Sequence, residues 1–202
     1  LVRHPRVFVA SDEIYEHIIW GNTRFLSFAQ ACPQLRDRTL VVNGVSKAYA
    51  MTGWRIGYAA GPRSLVAGLS KMQSQSTTCA SSISQVAATA ALDGPQDFVR
   101  RSAVTYGERA ALTIAALRRV PGLEVTPPQG AFYAFPKCTA YIGNVTPDGD
   151  VIKTDSDLAR FLLRSGKVAA VPGAAFGMET YLRFSFTTDA ANLEMALSRV
   201  AE

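Results

Sequence analysis

Three short apolar runs constrain the fold of this chain most strongly. They cover residues 7–10, 39–43 and 56–60, and polar or turn-forming residues separate them. Continuous apolar runs of this length are typical of strands that are buried on both faces of a mainly parallel sheet. The sequence therefore predicts an α/β fold in which all three runs are strands.

A lysine follows the second run in a segment of small, apolar and hydroxyl-bearing residues. Ser46 precedes Lys47, and Arg55 lies eight residues further on, between Gly53 and Gly57. Desolvation favours the neutral amine, which can form a Schiff base, and an arginine can bind a phosphate through two parallel N–H bonds. An imine-forming amine beside a phosphate-binding cation is what pyridoxal phosphate (PLP) requires of a protein.

An acid and a tyrosine follow the first run. Asp12 comes two residues after the run ends, and Tyr15 lies three residues beyond it. Functional groups of open α/β sheets collect just beyond the carboxyl ends of the strands. A carboxylate at that position could keep a pyridinium nitrogen protonated, and a phenol could hydrogen-bond the ring oxygen of the cofactor.

Six motifs, taken together and in order, resemble the class I aminotransferases of PLP fold type I, and bacterial aspartate aminotransferases in particular. The resemblance runs along essentially the whole chain, and the order and spacing of the motifs make it specific. The motifs are Asp12-Glu13-Ile14-Tyr15, Ser46-Lys47, Gly53-Trp54-Arg55-Ile56-Gly57-Tyr58, Gly130-Ala131-Phe132-Tyr133, Val171-Pro172-Gly173 and Leu182-Arg183-Phe184-Ser185.

The resemblance implies a division into two domains. Residues 1–104 are expected to form the later part of a mainly parallel-sheet, PLP-binding large domain. Residues 105–202 are expected to form a connecting helix and a small α+β domain. The chain starts at Leu1 without an initiator methionine and matches the carboxyl-terminal half of a family member. We therefore expect an amino-terminal half, which supplies a phosphate loop, a stacking aromatic residue and an asparagine, to be missing.

The resemblance also implies how the cofactor is bound. Lys47 would hold PLP as a Schiff base and carry the proton during catalysis. Asp12 would keep the pyridine nitrogen protonated, and Tyr15 would bind the ring oxygen. Arg55 would bind the phosphate, and Ser46 would either add a hydroxyl to it or only pack.

The implied reaction is transamination between an L-amino acid, expected to be aspartate, and a 2-oxo acid, expected to be 2-oxoglutarate, in a cytoplasmic homodimer. Arg183 would bind the substrate α-carboxylate with its planar fork of donors. Residues 76–78 would either reach the phosphate of a neighbouring subunit or form an ordinary helix lead-in. Gly44 stands where many members have a serine, so one phosphate hydroxyl is absent or supplied elsewhere.

Alternative functions remain open at this point. Another fold-type I chemistry, such as a β-lyase or a decarboxylase, would share the same cofactor residues. A non-catalytic truncated remnant is the second alternative, and a basic binding module is the third. The net charge of +5 comes from 21 basic and 16 acidic residues that are scattered without interleaved aromatics, which argues against nucleic acid as a partner.

Metal and membrane functions are disfavoured by the same sequence. Three widely spaced cysteines and two histidines have no metal-ligand spacing, and free thiols suit a reducing cytoplasm. No apolar run approaches the length of a membrane span.

Periodicity and turn residues predict the remaining elements. Helices are expected over residues 63–73, up to about Leu92, between Gly94-Pro95 and Pro121-Gly122, over 156–165 with Asp155 as cap, and after Asp189. Further strands are expected over residues 123–126, 131–135, 168–171 and 181–187.

Overall fold

The computed structural model describes residues 1–201, which form two compact units. The first unit covers Leu1–Ala103 and the second begins at Val104, so the division falls inside the 21-residue helix Asp97–Leu117. Each unit contains one three-stranded sheet. The family resemblance predicts an α/β architecture, and each unit combines helices with its sheet.

The sheet of the first unit contains the three predicted strands. They are β1 (Val9–Asp12), β2 (Thr39–Gly44) and β3 (Gly57–Ala60), in the order β1-β2-β3. β1 and β2 are parallel, whereas β3 is antiparallel to β2. Residues 45–56 between β2 and β3 contain only the 3-10 helix Thr52–Trp54 and no α-helix of the kind that usually makes a parallel crossover. The described sheet is therefore mixed.

The prediction that these strands are buried on both faces is wrong for two of them. β1 alternates between half-buried and exposed residues, and all four residues of β3 are exposed. The helix α2 (Arg63–Ser74) stands off the sheet, leaving grooves of about 430 and 570 Å³ beside it. Burial of a strand depends on residues far away in sequence, so an apolar run predicts the strand but not its cover.

Three helices that begin in the first unit follow the predicted periodicity, and a fourth, short helix was not predicted. A short helix α1 (Phe28–Ala31) precedes α2, which is followed by α3 (Ser82–Asp93) and α4 (Asp97–Leu117). α2 begins directly after Pro62, whose φ of −56° matches the fixed angle of the proline ring.

The second unit has a small antiparallel sheet in the order β4-β6-β5. Its strands are β4 (Tyr133–Ala134), β5 (Val171–Pro172) and β6 (Leu182–Ser185), and its later helices are α5 (Asp155–Phe161) and α6 (Ala190–Ala201). The strand predicted over residues 123–126 is reduced to one bridge between Glu124 and Lys137. Of the strand predicted over 168–171, only Val171 is in β5.

The caps of the last two helices show one wrong prediction and one correct one. The N-cap of α5 is Thr154, which forms a capping box with Asp157; Asp155 is instead the first helical residue and is buried. In α6 the Asp189 carboxylate accepts a hydrogen bond of 2.9 Å from the Asn192 amide, as expected for a cap.

Most buried apolar side chains of the described chain lie in the second unit. They come chiefly from α4, from the β4–β6 sheet and the residues beside its strands, and from α5 and α6. They include Ile114, Leu117, Phe132, Leu158, Leu182, Phe184, Phe186, Leu193 and Leu197. The first unit buries fewer, chiefly Ile18, Leu35, Val45, Ala48, Ala88 and Val99.

Gly44 is a position where a larger residue should disturb the first sheet. A Cβ there would lie 3.0 Å from the Ile56 carbonyl oxygen and 3.1 Å from the Gly57 Cα, and both are backbone atoms. We expect Gly44→Ser to lower the free energy of unfolding by about 1–3 kcal/mol, because the strands must move apart. Gly53→Ser is the matched control, since nothing lies within 4 Å of its Cβ position.

Urea denaturation of both variants measures the difference. The control should stay within about 0.5 kcal/mol of the parent. Equal stability of the two variants would contradict the close approach of β2 and β3 at Gly44.

Candidate active site

Four of the predicted site residues lie at one edge of the first sheet. The parallel register pairs Asp12 with Val42, so β1 and β2 end at the same edge, and Lys47 follows three residues after β2 ends. The antiparallel β3 begins at that edge, where Gly57 pairs with Gly44, and Arg55 comes two residues earlier. The strand directions therefore bring a carboxylate, Ser46, an amine and a guanidinium to one edge.

Asp12 is the last residue of β1, and its side chain is exposed. Its Oδ1 accepts a hydrogen bond of 3.2 Å from the Ile14 amide, which begins the turn that carries Tyr15. Tyr15 is half-buried, and its carbonyl accepts from the Ile18 amide at 2.9 Å. One carboxylate oxygen of Asp12 thus shapes the turn, while the residue stays exposed.

Glu13 is a residue of this region that the sequence interpretation missed. It is 6% exposed, and its Oε1 accepts from Ser11 Oγ at 3.0 Å, Ser27 Oγ at 2.9 Å and the Phe28 amide at 2.9 Å. Its own amide donates to the Val42 carbonyl at 2.8 Å. Glu13 therefore anchors the segment after Asp12 to β2 and to the start of α1.

A second carboxylate, Glu16, connects the Tyr15 turn to the end of β2. Asn43 is buried, and its Nδ2 donates to Glu16 Oε1 at 2.6 Å while its Oδ1 accepts from the Gly44 amide at 2.7 Å. In the sequence, the only sign of this linking role is that Asn43 is a polar residue at the end of the second apolar run.

Lys47 lies in a turn that buried apolar neighbours hold in place. Val45 is 0% exposed and Ala48 is 3% exposed, whereas Ser46 and Lys47 are half-buried. The Ala50 amide donates to the Lys47 carbonyl at 3.3 Å, and Ala50 has a left-handed φ of +53°. The backbone on both sides of the lysine is therefore fixed by packing.

Arg55 follows the short 3-10 helix Thr52–Trp54 and itself has a left-handed φ of +53°. Its Nη1 donates to the Thr52 carbonyl at 2.9 Å, and no acidic side chain of residues 1–201 forms an ion pair with it. The flanking glycines are not equivalent: a Cβ on Gly57 would lie 3.1 Å from the Asn43 oxygen, whereas Gly53 has open space. Close backbone approach therefore depends on the missing Cβ at Gly57 but not at Gly53.

Gly44 gives a physical reason for the departure from the family pattern. Its Cβ position lies close to the backbone of Ile56 and Gly57, so a serine there would require these atoms to shift by a few tenths of an ångström. The hydroxyl expected at this position in many family members is absent here.

Arg183 belongs to the second unit, where it lies on β6 and is half-buried. Its Cζ lies 4.5 Å from the ring centroid of Tyr133 and 4.3 Å from that of Phe176. Within the described part of the chain, no hydrogen bond or ion pair to its guanidinium is found. Its role in binding substrate stays a prediction, as does the phosphate role of residues 76–78, which are exposed.

Comparison with known proteins identifies the family. Residues 1–200 match the family model described as Aminotransferase class I and II. The chain belongs to this family. An aspartate aminotransferase of Rhizobium meliloti (strain 1021) is 50% identical over 201 residues, which are 100% of this chain and 49% of that protein. A probable aspartate/prephenate aminotransferase of Rickettsia felis is 46% identical over 200 residues, covering 99% and 49%.

Solved structures agree with this assignment. The crystal structure of the aspartate aminotransferase from Rhizobium meliloti has a TM-score of 0.94 at 50% identity and covers 99% of this chain and 50% of that one. The chain thus spans about half the length of the curated relatives it matches.

The donor set at the sheet edge fits the cofactor of this family. Class I aminotransferases use PLP, which offers an aldehyde, a basic ring nitrogen, a ring oxygen and a phosphate. Lys47, Asp12 and Arg55 supply an amine, a carboxylate and a cation without an acidic partner, each suited to one of these groups. Among residues 1–201, no cluster of metal-ligating side chains occurs and none of the helices has the length and apolarity to span a bilayer.

Two tyrosines near Glu16 provide a test of the arrangement behind the lysine turn. Burial raises the pKa of Tyr49 and of Tyr58, and the Glu16 carboxylate raises both further. We expect Glu16→Gln to lower both pKa values, because it removes the negative charge but not the burial of the two phenols. The glutamine side chain keeps an oxygen that can accept the hydrogen bond from Asn43. Tyrosine Cζ chemical shifts measured against pH resolve the two residues.

The raised pKa values also determine how the stability of the fold changes with pH. A phenol whose pKa is raised by folding stabilises the fold fully at neutral pH and loses that contribution as the pH rises through its folded-state pKa. Glu179→Gln, on an exposed residue of the second unit, is the control. Unchanged titration of Tyr49 and Tyr58 in Glu16→Gln would contradict this arrangement.

Proposed function

We propose that the protein takes part in PLP-dependent transamination between an L-amino acid, namely aspartate, and a 2-oxo acid, namely 2-oxoglutarate. The observation that carries the proposal is the convergence of Asp12, Ser46, Lys47 and Arg55 at one sheet edge. The names of the relatives support the substrate class, because those reported above are an aspartate aminotransferase and a probable aspartate/prephenate aminotransferase.

Each site residue has one task in holding the cofactor. Lys47 would attach to the aldehyde through its Nζ, and Asp12 would pair with the protonated ring nitrogen. Tyr15 would donate to the ring oxygen, while Ser46 and Arg55 would bind the phosphate. When bound, PLP withdraws electrons from the amino acid and makes its Cα–H bond acidic.

Two residues of this chain would act on the substrate itself. Lys47 Nζ would accept the proton from the substrate Cα and return it, acting as general base and then as general acid. Arg183 would orient the substrate by binding its α-carboxylate with two parallel N–H bonds. Asp12 would keep the ring nitrogen protonated throughout, because a carboxylate stabilises a positive charge beside it.

The proposed assembly is a homodimer in the cytoplasm, as the family resemblance implies. A β-lyase or decarboxylase would use the same cofactor residues, and product analysis distinguishes them. Conversion of aspartate and 2-oxoglutarate to oxaloacetate and glutamate supports transamination, whereas release of ammonia or carbon dioxide supports the alternatives. A non-catalytic remnant would give no product and no colour with PLP.

Lys47→Ala tests the assignment of the lysine. The test uses the chain joined to an amino-terminal half like that of the relatives. Borohydride reduction in the presence of PLP should label Lys47 in this parent protein, because only a covalently attached cofactor is fixed by reduction. The label should be lost in Lys47→Ala and kept in Lys71→Ala, the control on the exposed lysine of α2. Peptide mapping by mass spectrometry locates the label.

Turnover should fall by about 10²–10⁴-fold in Lys47→Ala, the usual effect of losing a general base. Turnover above about a hundredth of the parent rate, or a label on another residue, would refute the assignment.

We also expect the 202-residue chain to be a poor transaminase when it is expressed alone. β3 is fully exposed, and α2 presents exposed Leu69 and Met72, so apolar surface is open to association. PLP binding should be weak and the chain should aggregate, whereas adding an amino-terminal half like that of the relatives, in cis or in trans, should restore both. Aspartate-dependent conversion of 2-oxoglutarate measures this. Robust turnover by the monodisperse chain would contradict the expectation.

A further inference from the structure

The guanidinium of Arg183 is held by two aromatic rings rather than by an acid. Its Cζ lies 4.5 Å from the Tyr133 centroid and 4.3 Å from the Phe176 centroid, distances at which a cation is attracted to the face of a ring. No acidic side chain in residues 1–201 pairs with it. Because ring faces accept no conventional hydrogen bond, the N–H groups of Arg183 stay available to an incoming anion.

The sheet explains why Tyr133 lies against Arg183. Tyr133 of β4 pairs with Ser185 of β6, which is two residues from Arg183. Residues two apart on a strand share a face, so Arg183 is a diagonal neighbour of Tyr133, within reach of an aromatic ring. This first ring is therefore placed by the register of regular strands.

Phe176 reaches Arg183 from an irregular segment that has its own supports. It ends the 3-10 helix Gly173–Phe176, and Gly177 follows with a left-handed φ of +72°. Asp155, which is 3% exposed, accepts from the Ala174 amide at 2.8 Å through its Oδ2. The Gly173 amide donates to the Tyr181 carbonyl at 2.8 Å.

Other aromatic residues limit the position of the Phe176 ring. Phe135 meets it edge to face at 6.1 Å between centroids, and Phe135 in turn stacks on Tyr181 at 5.1 Å. Edge-to-face and stacked pairs have preferred geometries, so this cluster fixes the ring as well as the backbone beneath it.

We infer that Phe176 is a positioning residue, whose ring works with that of Tyr133 to hold the Arg183 guanidinium as an open fork for a carboxylate. The inference rests on the proposed function, which gives Arg183 the α-carboxylate of the substrate. Two rings orient the guanidinium without neutralising it, whereas a protein carboxylate in the same place would compete with the substrate.

The test compares Phe176→Leu with Phe176→Tyr, which keeps the aromatic face. Phe98→Leu is the matched control, because Phe98 is 47% exposed and Phe176 is 48% exposed, and Phe98 lies in the first unit. The first readout is the Arg183 Nε–Hε resonance in the purified chain joined to the amino-terminal half, assigned by its loss in Arg183→Lys. Ring currents should shift this resonance upfield in the parent, in Phe176→Tyr and in Phe98→Leu, but less so in Phe176→Leu.

The second readout is a titration with succinate at constant ionic strength, followed on the same resonance. We expect Phe176→Leu to weaken succinate binding about 3- to 30-fold, the range that one lost cation–π contact allows. Phe176→Tyr should bind like the parent. In protein with transaminase activity, KM for aspartate should rise by a similar factor with kcat nearly unchanged.

The outcomes separate the inference from the proposed function. If succinate shifts the parent resonance but Phe176→Leu binds succinate like the parent, the inference is wrong and the role of Arg183 stands. If succinate does not shift the Arg183 resonance in the parent, the carboxylate role of Arg183 is wrong, and the inference falls with it. An Arg183 resonance that is identical in parent and Phe176→Leu also overturns the inference.

Discussion

The candidate site depends first on the parallel pairing of β1 with β2. The register that joins Asp12 to Val42 is extended by the Glu13 amide, which donates to the Val42 carbonyl at 2.8 Å. This bond fixes where β1 ends, and it therefore fixes the position of Asp12 along the strand direction relative to the end of β2, which precedes Lys47. A slip by one residue would turn every side chain of β1 to the opposite face of the sheet and separate the carboxylate from the amine.

The turns beyond the strands depend on two carboxylates that bind no ligand in the proposed mechanism. Glu13 receives three hydrogen bonds on one oxygen, and Glu16 receives one from the buried Asn43. Glu13 is buried and Glu16 is half-buried. Buried polar groups need hydrogen-bond partners, so the donors around Glu13 are held in one arrangement. Together the two side chains connect the turn that carries Tyr15 to α1 and β2. Preorganisation of this kind removes motion that would otherwise have to be lost during the reaction.

The sequence predicts local features well and distant ones poorly. The three strands of the first unit and the helix after Pro62 follow from short apolar runs and a proline, because such signals act within a few residues. The exposure of β3 could not be predicted, since cover comes from elsewhere in the molecule. Thr154 rather than Asp155 caps α5, because both side chains can accept a backbone amide and only the tertiary contact with Ala174 decides between them.

The site residues show the same limit. Position just after a strand was enough to predict Asp12 and Lys47 at one edge, because parallel strands end on the same side. Arg55 reaches that edge only because β3 is antiparallel to β2, which the predicted mainly parallel sheet did not include. Asp12 and Glu13 are adjacent acids, and the sequence does not show that Asp12 is exposed and Glu13 is buried. The structural role of Glu13 was therefore missed. Phe176 was missed for a related reason: its contact with Arg183 joins an irregular turn to a strand, and no periodic pattern encodes such a pair.

The two arginines show how a protein can fix a cation without neutralising it. Arg55 donates to the Thr52 carbonyl, which holds one nitrogen of the guanidinium, so that the others could bind the phosphate proposed above. Arg183 is held by ring faces, which use none of its N–H donors. In both cases the orienting group carries no full negative charge, so the cation keeps its attraction for an anion. An acid in either place would stabilise the arginine more strongly and, for that reason, weaken the binding of the ligand.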